Sequence, residues 1–150
     1  MISMYTIGFT KKSAEEFFDL LKSNNIKLVY DVRLNNSNQL AGFSKGKDLK
    51  YFLKELASID YIHDTRFSPT KEILNDYKKK KITWSEYETK FNELLNLRKV
   101  QDIVKSELSD KLNEICFLCS EEKADKCHRR LVAEKIKGIL KEKDINILHI

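Results

Sequence analysis

The chain of 150 residues is long enough for one well-filled core and rather short for two. Its 41% hydrophobic and 34% charged residues exclude a disordered chain, and its longest apolar runs are far too short to cross a bilayer. The net charge of +5 comes from Lys scattered among Glu and Asp, which tolerates anionic partners without marking a nucleic-acid surface.

The opening "MISMYTIGFT" lacks the basic head, sustained apolar region and cleavage site of a signal peptide, so a cytoplasmic location is expected. Met4 to Thr10 reads as a first strand. "SAEE" then offers a capping box, with Ser13 as N-cap and Glu16 three residues on, and Ala14, Phe17, Phe18 and Leu21 follow at helical spacing. "KLVYDVR" is a buried second strand, followed by a polar loop from Asn35 to Lys47. Leu49, Phe52, Leu53 and Leu56 form an amphipathic stripe, and Tyr61 to His63 a short third strand. Ser68-Pro69 suits a helix start, because Pro at the first helical position loses no needed donor. "TWSE" is a second capping box, and Trp84, Tyr87, Phe91, Leu94 and Leu95 continue that helix on one face. Helix resumes through Val100, Ile103, Val104 and Leu108 as far as about Ser109. "EICFLC" is a fourth strand, Val132, Ile136, Ile139 and Leu140 mark a helix, and "INILHI" is a fifth strand. The basic run Lys78 to Lys81 lacks interleaved aromatics and reads as a solvated helix end.

Strands alternating with helices predict a single α/β domain over residues 1–150. Its mostly parallel central sheet of about five strands carries helices on both faces, with a helical insertion before strand four. In such a sheet the C-terminal strand ends share one edge, where ligands bind. That edge receives Thr10, then Asp31 and Arg33, then His63 and Asp64. Cys119 and Glu121 follow strand four, and Cys127, His128 and Arg129 open the next helix. Asp31 and Arg33 suit an ion pair or a ligand contact about equally, and Arg33 has the fork that fits phosphate or carboxylate. His63 reads first as a hydrogen bond across the rim and Thr10 as a turn residue.

Three cysteines do not make a disulfide framework. Cys116 lies mid-strand among apolar residues and reads as core, and alternation turns Cys119 to the opposite face. With Asp125 as N-cap, Cys127 falls in the first turn of a helix flanked by Lys126, Arg129 and Arg130, where the dipole and the cations favour thiolate. A zinc site of Cys119, Cys127 and His128 is a minority reading, because adjacent Cys127 and His128 on a helix would point roughly 100° apart and the spacing fits no standard zinc pattern; no metal and no cofactor is the expectation.

"YTIGFT", "YDVRLNNSN", "FLCSEEKADKCHRRLVAEKI" and the closing "LHI" resemble, in order and over essentially the whole chain, the Domain of Unknown Function 488 family. The resemblance implies one α/β domain with the motif residues gathered at one site, and no settled activity. The matching positions are Thr6, Gly8 and Thr10, then Asp31, Arg33 and Ser37, then Cys119, Glu121, Cys127, His128 and Arg129. This chain departs from the family at Gly8-Phe9-Thr10, where Gly-His-Ser is common, so a histidine there is lacking and Thr10 stands for the Ser hydroxyl.

The leading expectation is an enzyme, a hydrolase or transferase, for a small anionic or nucleotide-like substrate. Cys119, Glu121, Cys127 and His128 are its catalytic candidates, and Thr10, Asp31, Arg33, Ser37 and Arg129 its binding candidates. A non-catalytic nucleotide, nucleic-acid or redox-sensing module is the alternative, since Cys119 and Cys127 bracket one loop. A rhodanese-like sulfur carrier comes third, because the acidic "SEEKADK" loop would repel the anion such a loop cradles. No membrane partner is expected; a nucleic-acid partner is weakly supported, and nothing points to an oligomeric state.

Overall fold

The computed structural model describes residues 1–37, 42–121 and 123–150. Five strands run β1 (Ile2–Gly8), β2 (Leu28–Asp31), β3 (Asp60–His63), β4 (Ile115–Cys119) and β5 (Ile145–His149). All neighbouring pairs are parallel, in the order β3-β2-β4-β1-β5. The expected α/β architecture is therefore the one observed.

Period-two alternation assigns the two sheet faces. Ile7, Val29, Cys116 and Leu118 face one core with Phe17, Phe18 and Leu21 of α1 (Ala14–Ser23) and Leu49 and Leu53 of α2 (Gly46–Ala57). Met4, Tyr30, Ile115 and Phe117 face the other core. That second core is closed by the insertion, α3 (Lys71–Lys78), α4 (Trp84–Leu97) and α5 (Val100–Ile103), together with α6 (His128–Ile139). A π-turn at Val104–Leu108 extends α5 and buries Val104 and Leu108.

Local chemistry sets the element ends. Thr83 and Glu86 complete a reciprocal capping box at α4, while Ser13 caps α1 through its hydroxyl, accepting from Glu16 N at 3.1 Å. The helix expected at Ser68-Pro69 starts later, because Thr70 is the N-cap and its hydroxyl accepts from Ile73 N. Ser68 is instead buried, with its hydroxyl donating to Val32 O at 2.9 Å. The polar loop predicted to reach Lys47 ends sooner, with a 3₁₀ turn at Gly42–Ser44 and α2 starting at Gly46. Residues 38–41 of that loop lie outside the described residues. Lys78 to Lys81 are exposed at the end of α3. None of the described helices is long and apolar enough to cross a membrane.

The topology fixes where a ligand can enter. The chain leaves β1 onto the α1 face and β4 onto the α6 face, yet β1 and β4 are neighbours. The crevice outside their C-terminal ends is a topological switch point.

Candidate functional site

Gly8 and Cys119 pair at the last rung between β1 and β4, and the chain past β4 folds back over the end of β1. A Cβ on Gly8 would lie 1.6 Å from Glu121 O, so only glycine lets that loop backbone sit there. The Thr10 hydroxyl donates to Ser120 O at 2.5 Å and ties the same loop from above. Arg129 ties it from below. It is 1% exposed, with Nε donating to Thr6 Oγ1 at 3.2 Å and Nη1 donating to Glu121 O at 2.5 Å. Thr6 Oγ1 in turn meets His149 Nδ1 at 2.6 Å on β5. Thr10 and Arg129 thus position the β4–α6 loop through its carbonyls.

The start of α6 differs from expectation. Cys127, not Asp125, is the N-cap, with extended backbone at φ −137° and ψ 139°, and His128 is the first helical residue. Asp125 contributes its carbonyl to Arg130 instead. Because Cys127 is outside the helix, the 100° separation of neighbouring helical side chains does not apply. Cys119 Sγ, Cys127 Sγ and a ring nitrogen of His128 converge within 4.8 Å of one another. The His128 ring lies against Cys119 Sγ, with Nδ1 at 3.5 Å. Its Nε2 meets Val32 O at 2.7 Å, and a carbonyl only accepts, so that nitrogen carries the proton and Nδ1 is left without one; Cys119 Sγ, 3.7 Å from Nε2 as well, sits against the ring. Phe91 of α4 holds the ring edge-on at 5.6 Å.

All three thiols are free and buried. Burial pushes the Cys116 thiol up, consistent with an inert core residue. The other two shift in opposite directions. Cys127 is held well below an ordinary thiol by the hydrogen bond from Cys119, against the effect of burial and with help from His128. Cys119 is raised by that same hydrogen bond and by burial.

Arg33 reaches the site from β2. Asp31 Oδ1 accepts from Arg33 N at 3.1 Å and Nε at 2.8 Å, and Oδ2 accepts from Nη2 at 2.7 Å. Tyr61 adds its hydroxyl to Asp31 Oδ2 at 2.5 Å. Asp31 is thereby saturated and fully buried, an orienting group for Arg33 with no face toward a ligand. Phe9 places its ring 5.4 Å from the Arg33 guanidinium carbon. His63 bonds across the rim to Arg33 O at 2.7 Å. What remains is Arg33 Nη1, the only buried side-chain nitrogen without a hydrogen-bond partner among the described residues.

A cavity of about 400 Å³ joins these parts. Cys119, Cys127, His128, Arg33 and Glu121 line it, whereas Thr10, Asp31, Ser37 and Arg129 do not. Ser37 is exposed and folds onto Asn35 Oδ1 through its N–H and hydroxyl. The opposite wall is one that sequence reasoning passed over: Tyr77, Trp84 and Tyr87 of the helical insertion. Trp84 stacks on Tyr87 at 4.8 Å and 15°. The helical spacing of Trp84 and Tyr87 marks them as a packing face, and nothing in that pattern signals that one edge borders a cavity.

Comparison with curated proteins and with solved structures gave no match. A family model, described as "Domain of unknown function DUF488", matches residues 13–136. That span holds every residue that lines the cavity, and most of the chain. The loop anchored over Gly8 and the Cys-His cluster at the start of α6 are thus features of a protein that belongs to the DUF488 family.

Proposed function

We propose that this protein is an enzyme, a hydrolase or transferase, whose substrate is a small anion carrying a planar ring, such as a nucleotide. Cys119, Cys127 and His128 form the reactive end of the cavity, and Glu121, exposed at its rim, is the proton carrier. Arg33 and Lys126, both in the lining, receive the anionic group. In the Tyr77–Trp84–Tyr87 wall Tyr87 is already stacked between Trp84 and Phe91, so the half-buried Tyr77 and Trp84 are the rings left to meet a substrate ring. Asp31 orients Arg33, while Thr10 and Arg129 act through the loop they anchor. Free thiols fit a reducing, cytoplasmic setting.

The observation that carries this reading is the unpartnered Nη1 of Arg33. A buried guanidinium nitrogen without an acceptor costs stability, and natural proteins rarely leave one except where something binds. Calorimetric titration with inorganic phosphate, ribose 5-phosphate and a nucleoside monophosphate tests it. We expect affinity to rise along that series, by roughly 1–3 kcal/mol for the stacked base. Arg33→Lys, which keeps the charge and loses the fork, lowers affinity for all three by about tenfold or more. Absence of binding throughout, or an indifferent Arg33→Lys, overturns the reading. Binding without turnover on any phosphoryl or acyl derivative of the best ligand would assign a sensing module instead.

A further inference from the structure

We infer that Cys119, Cys127 and His128 are a three-ligand site for a borderline-soft divalent cation, zinc foremost, with its fourth position open to the cavity. This rests on the reading above only in taking the cavity as the active site; the cation site itself needs nothing but the three ligands.

Geometry is the first support. The two sulfurs and the ring nitrogen all lie within 4.8 Å of one another, and Cys119 Sγ is 3.5 Å from His128 Nδ1. A tetrahedral zinc with the usual bond lengths sets sulfur and nitrogen about 3.6 Å apart. Cys119 Sγ is also 3.7 Å from Nε2, so the spacing suits an ion but the ring must turn to bring the Nδ1 lone pair between the sulfurs.

Orientation is the second. A metal-bound imidazole normally donates its other N–H to a carbonyl or carboxylate, which fixes the tautomer and aims the lone pair. Val32 O takes that part here, receiving Nε2–H at 2.7 Å, and Phe91 holds the ring from the side. No water-exposed swing of the ring is available, because His128 is 5% exposed. Each sulfur is held as firmly, one at the end of a central strand and one at a helix cap.

Ligand chemistry selects the ion. Two thiolates and an imidazole suit zinc, and reject magnesium or calcium, which take oxygen ligands. Structural zinc is closed by four protein ligands, but the described residues supply only three here. Three protein ligands with one position left for water or substrate is the catalytic arrangement. All three ligands line the cavity that also holds Arg33 and Glu121, so the open position faces where the anionic group is placed. Cys116 takes no part, since it faces the opposite core.

The test starts with the full chain purified without chelators and assayed for metal by mass spectrometry, then stripped and reloaded with zinc or cobalt. We expect one equivalent per chain, with a thiolate-to-cobalt charge-transfer band and the weak visible bands of a tetrahedral ion. Zinc shields Cys119 and Cys127 from alkylation, and chelation releases both. Cys127→Ser and His128→Asn each weaken cobalt binding by more than the roughly 10–100-fold that loss of an outer-shell partner costs. Cys116→Ala leaves it unchanged. Should a variant fail to fold, the cobalt spectrum and the alkylation pattern of the wild-type protein decide alone. Substoichiometric metal after reloading overturns the proposal, as does binding that neither variant alters. So does a resting Cys119–Cys127 disulfide, two hydrogens lighter, which would make the cluster a redox pair. Titrating the nucleoside monophosphate into zinc-loaded and metal-free protein separates the two ideas. Nucleotide binding to a protein that takes no metal sinks only the cation site, whereas metal without nucleotide binding sinks only the substrate reading.

Discussion

Two Asp-x-Arg turns close adjacent strands of this sheet, Asp31-Val32-Arg33 after β2 and Asp64-Thr65-Arg66 after β3. Their internal bonding is the same. In each, the arginine N–H and Nε donate to aspartate Oδ1 while Nη2 donates to Oδ2. Each aspartate also accepts a tyrosine hydroxyl from the other strand, Asp31 from Tyr61 and Asp64 from Tyr30. The surroundings then separate them. Arg66 is 45% exposed and spends Nη1 and Nη2 on Glu107, so its turn is electrostatically complete. Arg33 is 2% exposed, and its Nη1 has no acceptor. One motif thus serves as a finished structural clasp and, one strand away, as a preorganised arginine with a donor to spare. The turn itself is local chemistry; function resides in the part left unsaturated.

The largest expected effect contrasts the two aspartates. Asp31→Ala strands a buried guanidinium, a loss of about 3–5 kcal/mol. Asp64→Ala leaves Arg66 with Glu107 and solvent, and the lost hydrogen bonds cost about 1–3 kcal/mol. Urea unfolding of both variants, with unchanged slope, measures this. Equal losses would remove burial as the distinction between the turns.

Acid unfolding sharpens the same contrast from the Asp64 side. Burial works against the Asp64 carboxylate, but hydrogen bonds from Arg66 and from Tyr30 outweigh it and hold its pKa below the usual value. A carboxylate whose folded pKa is depressed binds fewer protons folded than unfolded near and below pH 4. Its stabilising contribution is therefore complete above the unfolded pKa and fades as pH falls through the lowered folded one. Arg66→Ala should flatten the fall of stability between about pH 5 and pH 2, an effect smaller than the loss at Asp31. Unfolding midpoints taken at pH steps through that window read it out. An unchanged slope would mean that Arg66 is not what holds Asp64 down.

Much of this frame was legible in the sequence, because strand and helix periods alternate cleanly and parallel strands deliver their ends to one edge. The C-terminal rim followed from that alone. Other features escaped for identifiable reasons. Asp125 is the better capping residue type, yet Cys127 takes the cap, and with it the side chains of Cys127 and His128 converge where helical spacing would part them. Arg129 at a helix start reads as a binding candidate for an anion, whereas the structure gives its Nε and Nη1 partners inside the protein, Thr6 Oγ1 and Glu121 O. The second Asp-x-Arg turn was visible as "DTR", and only its coordinates relate it to "DVR". Trp84 and Tyr77 could not be told from core residues, since a helical stripe does not say which of its members border a void.

The smallest effect expected is also the cleanest separation of the turns. Glu107→Ala frees Nη1 of Arg66 and so copies, at the surface, the open valence of Arg33. Stability should barely change, because an exposed ion pair adds little once salt and side-chain entropy are counted. More to the point, the variant should gain no affinity for phosphate. Arg66 stands 45% exposed to solvent, without the cavity, the Phe9 ring or the neighbouring cluster that surround Arg33. Phosphate titration of this variant in an Arg33→Lys background, where the cavity no longer competes, shows whether a free fork is sufficient. A new site as tight as the one lost would mean that any unsaturated Asp-x-Arg turn binds anions, and that burial beside the cysteines adds nothing. No new site would place the discrimination in desolvation, where the low dielectric around Arg33 makes each missing acceptor count for more.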